Sequence, residues 1–139
     1  MESMVVRPAG GRRYVIGVRG HRLTVDQPVE LGGTDVAPTP TELFIAGLGS
    51  CIAFYAGSYL HRHGMPSDGL RVDVDWELST GRPARVERID VTITPPTQLP
   101  GERWPALLAV ARHCTVHNSL EQAPAVTVEL EEAAPRKAG

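Results

Sequence analysis

The chain has 139 residues, 22% of them charged, a formal net charge of −2 and only two cysteines. This length suits a single domain, 1–139, with a core of its own. The near-neutral balance argues against a general nucleic-acid or membrane-surface binder. The opening residues MESMVVRPAGG lack the apolar stretch of a secretory signal, so the expected setting is cytoplasmic. In that reducing compartment a structural disulfide between Cys51 and Cys114 is not expected.

The N-terminal third reads as strands. Tyr14, Ile16 and Val18 alternate, Gly20 marks a turn, and Leu23 and Val25 resume the alternation, with room for a further short strand at Val5–Arg7. Arg7, Arg12, Arg13, Arg19 and Arg22 face only Glu2 here, a run that fits solvated strands better than an RNA-binding face. A loop rich in glycine and proline follows, from Asp26 to Pro38.

From Leu43 to Leu60 no side chain is charged. Thr39-Pro40-Thr41-Glu42 has the form of a helix start, with Thr39 as cap, Pro40 at the first helical position and Glu42 reaching back to the Thr39 N–H. His61, Arg62 and His63 load the far end with cationic side chains, and Gly64 supplies a stop. The stretch approaches the roughly 20 apolar residues needed to span a bilayer, but Gly47, Gly49, Ser50, Gly57 and Ser58 dilute it. It reads as a buried central helix with Cys51 at its middle.

Beyond it, Leu70, Val72, Val74, Trp76 and Leu78 alternate with Arg71, Asp73, Asp75 and Glu77, which predicts a strand with one core face. Gly81-Arg82-Pro83 turns into a second strand carrying Ile89, Val91 and Ile93. Val86 is out of register with these, which predicts a bulge near Glu87–Arg88. A second helix is expected from about Glu102 to His113, with Trp104, Leu107, Leu108 and Ala111 at helical spacing and Cys114 on the same stripe at its last turn. Val126, Val128 and Leu130 predict a final strand. The order is β-β-α-β-β-α-β, an α+β domain with a mostly antiparallel sheet around the central helix.

Two readings of the cysteines stand side by side: two inert buried thiols, or a redox pair. Mid-helix, Cys51 gains nothing from the dipole and needs a nearby cation to become a nucleophile, with the upstream arginines as the supply. The end of a helix would disfavour a Cys114 thiolate, so a pair would have Cys51 as attacker and Cys114 as resolver. No metal and no cofactor are expected. His61-x-His63 and His113-Cys114-x-x-His117 lack the spacing of a zinc site, and Gly47-Leu48-Gly49 follows no strand, so it is no dinucleotide fingerprint.

LGGTDVAPTPTELFIAGLGSC, followed 63 positions after its cysteine by CTVHNSL, resembles the blocks of the OsmC/Ohr family (osmotically inducible and organic hydroperoxide resistance proteins), in its OsmC-like branch. The resemblance implies an intertwined homodimer whose central helices are sandwiched by strands of both subunits. It implies thiol-dependent reduction of organic hydroperoxides. Cys51 would attack the peroxide, Cys114 would condense with the resulting sulfenic acid, and a small dithiol or lipoyl-type reductant would reopen the disulfide. A family arginine from the N-terminal strands would stabilise the thiolate; no motif places it here, and the strand-end setting Val18-Arg19-Gly20 points to Arg19, with Arg22 close behind. A family glutamate near the helix start, for which Glu42 stands here, would hold that arginine. No nucleic-acid or membrane partner is implied.

Two departures mark this chain. The best-known peroxidases of the family carry the glutamate ten positions before the first cysteine, which is Thr41 here, while Glu42 is nine before. Thr115 stands where the family usually has proline. The alternative function is a non-peroxidatic member of the same fold that binds a small apolar or thiol-reactive ligand.

Overall fold

The computed structural model describes residues 1–134. The alternating N-terminal segments form an antiparallel sheet in the order β1-β2-β3, from β1 (Val5–Pro8), β2 (Tyr14–Val18) and β3 (His21–Val25). Arg19 and Gly20, with φ of 48° and 81°, close the two-residue hairpin between β2 and β3. Positive φ at both positions is what a hairpin matched to strand twist requires, and glycine meets it without steric cost.

The loop after β3 is built on Asp26, whose carboxylate is buried, with 1% exposure. It accepts the N–H groups of Gln27, Thr34 and Val36 at 2.7, 3.2 and 3.2 Å and the Thr34 hydroxyl at 2.7 Å. Those donors, the Thr34 hydroxyl first, outweigh burial and hold its pKa near 2. Gly33 has no room for a side chain, since a Cβ there would collide with the Gln27 carbonyl. The Asp26 N–H donates to Pro38 O at 3.0 Å, which ties the sheet's last strand to the residues that enter the central helix.

That helix, α1, runs from Pro40 to Arg62 with the expected capping box at its start. The Thr39 N–H donates to Glu42 Oε1 at 2.9 Å, and the Glu42 N–H to Thr39 Oγ1 at 3.1 Å. Gly64, at φ 68°, lies just past its end. Ile45, Leu48, Gly49, Ile52, Ala56, Tyr59 and Leu60 bury one face of α1, mainly against α2 and β4. Gly49 lets β4 approach closely: a Cβ there would come within 2.9 Å of Val74 Cγ2. The opposite face is bare, with Phe54 70% exposed. The chain alone therefore buries only one face of its central helix, because no strand of β1–β3 packs extensively on α1 or on the second sheet.

The second sheet is the antiparallel pair β4 (Arg71–Leu78) and β5 (Val86–Thr94). Its register slips at Glu77/Leu78, where Glu77 faces Arg88 and Leu78 faces Val86, leaving Glu87 as the extra residue. The misplaced Val86 predicted this bulge.

Two expectations need correction. The second helix divides: after a 3₁₀ turn at Gly101–Arg103, α2 spans Trp104–Arg112, and a separate helix α3 spans Thr115–Glu121. His113 leaves helical geometry, at φ −93° and ψ 29°, and Cys114 is extended. The final strand is also absent within the chain. Val126 and Val128 are 78% and 92% exposed, with no strand beside them among the described residues. Alternation made the segment fit for a sheet face, but pairing needs an edge, and the single chain brings none to it.

Candidate active site

Cys51 is the middle residue of the 23-residue α1 and is half-buried. Its side chain packs on the core cluster that contains Cys114. The fold thus brings together two residues 63 positions apart, and both sulfurs are free thiols.

Cys114 differs from its expected setting. It is the N-cap of α3, not the last turn of α2, and its sulfur accepts the His117 N–H at 3.3 Å. That contact favours a thiolate. The side chain is fully buried, however, and burial is the largest influence, with the neighbouring Cys51 thiol pushing the same way. The net direction is upward from the ordinary thiol range, so Cys114 is held as a neutral thiol. Burial, not a helix C-terminus, is what makes it a poor attacker. Cys51 is the more accessible of the two.

Hydrogen bonds fix the corner that carries Cys114. His117 Nδ1 lies 2.7 Å from the Arg112 carbonyl and Asn118 Nδ2 donates to the His113 carbonyl at 3.3 Å, so side chains of α3 satisfy the open end of α2. Tyr55, one turn beyond Cys51, places its hydroxyl 3.0 Å from Thr115 Oγ1. Sequence reasoning missed α3 and both of these arrangements. The available signals were the four-residue step from Cys51 to Tyr55 and the short polar run after Cys114.

Arg19 sits exposed at the tip of the β2–β3 hairpin and Arg22 is exposed on β3. Among the described residues no arginine hydrogen-bonds to either sulfur. Glu42 is engaged in the capping box. It lies about 13.5 Å along α1 from Cys51 and, at about 100° per residue, on the opposite side of the helix. No group of His, Cys, Asp and Glu among the described residues is arranged to hold a metal ion.

An open apolar cavity of about 850 Å³ lies between α1, β5, α2 and α3. Leu48, Ile52, Ile89 and Leu108 contribute its apolar walls, with Arg85 and Arg112 among the charged residues that line it. Neither cysteine lines it, although Ile52 is adjacent to Cys51 in sequence.

Compared with known families, residues 32–129 match the model of OsmC-like protein. The chain belongs to the OsmC family. No curated protein sequence matches it. Solved OsmC-type structures share its fold. One, from Psychrobacter arcticus 273-4, carries the name osmotic stress induced and detoxification response protein; its TM-score is 0.76 at 23% identity, over 86% of this chain and 88% of that one. An organic hydroperoxide resistance protein OsmC from Legionella pneumophila has TM-score 0.64 at 20% identity, over 86% and 90%. An OsmC-like hydroperoxide resistance protein from Jannaschia sp. CCS1 has TM-score 0.57 at 22% identity, over 94% and 91%. At these identities the likeness establishes the fold, and function has to be argued from the site.

Proposed function

We propose that this OsmC-family protein is a cysteine-based peroxidase that reduces organic hydroperoxides through Cys51 and Cys114. The observation that carries the reading is the meeting of its only two cysteines, one accessible and one buried and neutral. The Cys51 thiolate attacks the distal oxygen of the hydroperoxide. The O–O bond breaks, the alcohol leaves with a proton, and Cys51 becomes a sulfenic acid. Cys114 then forms the S–S bond as the S–O bond breaks, and water departs with the thiol proton. A small dithiol restores both thiols by exchange.

The working unit on this reading is a homodimer. The bare face of α1 with Phe54, the loosely packed N-terminal sheet and the unpaired Val126–Leu130 segment all favour cover by a second copy. Arg19 of one protomer would then supply a cation to the partner's Cys51, whose sulfur no arginine among the described residues of its own chain hydrogen-bonds. Light scattering at micromolar concentration should give about 30 kDa, twice the 15.0 kDa chain mass; a monomer would remove the source assigned to that cation.

The cavity favours a second reading, since it is apolar and excludes both sulfurs: a non-peroxidatic fold that binds a small apolar ligand there. Consumption of an organic hydroperoxide with a small dithiol as reductant separates the two. Turnover that vanishes in Cys51→Ser supports the peroxidase, and absence of turnover in the wild type refutes it.

A further inference from the structure

The hydrogen bonds from His117 to the Arg112 carbonyl, from Asn118 to the His113 carbonyl and from Ser119 to the Thr115 carbonyl shape the α2–α3 corner. All three are internal to it, and none fixes the corner to α1, where Cys51 sits. Apolar packing of Leu60, Ala111 and Cys114 holds the two together, but such packing is non-directional. Among the described residues, one side-chain hydrogen bond other than the contact between the two thiols themselves joins α1 to the corner: Tyr55 Oη to Thr115 Oγ1, at 3.0 Å.

Its placement brackets the sulfurs. Tyr55 follows Cys51 by one helical turn on the same face, and Thr115 directly follows Cys114. Thr115 is the first residue of α3, a position that accepts proline without cost to the helix, and proline is what the family resemblance leads one to expect there. Proline has no hydroxyl, so the bond exists because this chain has threonine instead.

We propose that Tyr55 and Thr115 are positioning residues that hold Cys114 in register with Cys51 and thereby favour closure of the Cys51–Cys114 disulfide. The inference rests on the redox-pair reading given under Proposed function. What the clasp governs is the effective concentration of one sulfur at the other, and a lost directional restraint lowers that quantity. The bond is exposed, so its contribution is that of a single solvent-competing hydrogen bond, a few-fold.

Thiol–disulfide exchange with a glutathione redox buffer tests this without any hydroperoxide. Glutathione disulfide forms a mixed disulfide on Cys51, and Cys114 displaces reduced glutathione to close the ring, so the equilibrium constant reports the effective concentration directly. Tyr55→Phe, Thr115→Val and Thr115→Pro should each lower that constant roughly five-fold. The double variant Tyr55→Phe/Thr115→Val should fall no further than either single change, and Thr115→Ser should restore the wild-type value. Unchanged constants in Tyr55→Phe and Thr115→Val, or losses that simply add in the double variant, would overturn the proposal. A wild type that closes the disulfide with glutathione yet consumes no organic hydroperoxide would refute the peroxidase reading alone, and the clasp result would stand. Closure absent in the wild type would refute both.

Discussion

Replacing Glu42 with glutamine takes one charge from the start of α1 while keeping its geometry. The glutamine carbonyl can still accept the Thr39 N–H that Glu42 Oε1 accepts at 2.9 Å, and the backbone N–H at position 42 still reaches Thr39 Oγ1 at 3.1 Å. What goes is attraction between a carboxylate and the helix N-terminus, about 0.3–1 kcal/mol at an exposed site. For a chain of this size that amounts to about 1–4 °C in melting temperature. Thr39→Ala, which deletes the cap itself, should cost about 1 kcal/mol. Activity of Glu42→Gln should stay within a few-fold of wild type, because Glu42 lies on the far side of α1 from Cys51, about 13.5 Å along its axis. The assay is the rate of organic hydroperoxide consumption alongside a thermal melt. A loss of about 10²-fold with an unchanged melting temperature would refute the capping account. It would mean that Glu42 orients the arginine beside Cys51, as the family resemblance implies.

Asp26 and Leu60 test the frame around the site. The Asp26 pKa is lowered to about 2, below its value of 3.8 in an unstructured chain, so its stabilising effect is complete above pH 4. That effect should be lost as pH falls from about 4 to 2; acid melts of Asp26→Asn should be flatter across this window, and parallel curves would contradict the assignment. Leu60 is fully buried beside Ala111 and Cys114. Leu60→Ala should cost about 2–5 kcal/mol, read as a lower denaturant midpoint at fixed protein concentration, and a cost under about 1 kcal/mol would show a looser core than described.

Local chemistry was legible in the sequence wherever it was complete within a few residues. Thr39, Pro40 and Glu42 carry a whole capping box, and Val86 out of step with Ile89 carries the bulge at Glu87. Cys114 misled because it sits seven residues after Leu107, on a stripe that a continuous helix would extend, whereas the backbone turns at His113 and restarts at Thr115. Side-chain bonds to the Arg112 and His113 carbonyls drive that restart, and periodicity does not register them. Val126 to Leu130 shows the opposite case, a strand-like alternation that pairs with no strand among the described residues. Asp26 gave no sign at all, since its partners at Thr34 and Val36 become neighbours only when the loop closes on it. The arginine could not be fixed either, because Arg19 and Arg22 lie exposed in the N-terminal sheet and no local pattern ties either of them to Cys51.

The account stands on Cys51 as attacker and Cys114 as resolver, and intact-protein mass after one equivalent of organic hydroperoxide tests that most directly. Wild type should lose two hydrogens, the mark of an intramolecular disulfide. In Cys114→Ser the protein should instead gain one oxygen, held at Cys51 as sulfenic acid. Oxidation of Cys114 in Cys51→Ser at the wild-type rate, or a wild-type protein that takes up oxygen without losing hydrogen, would contradict it.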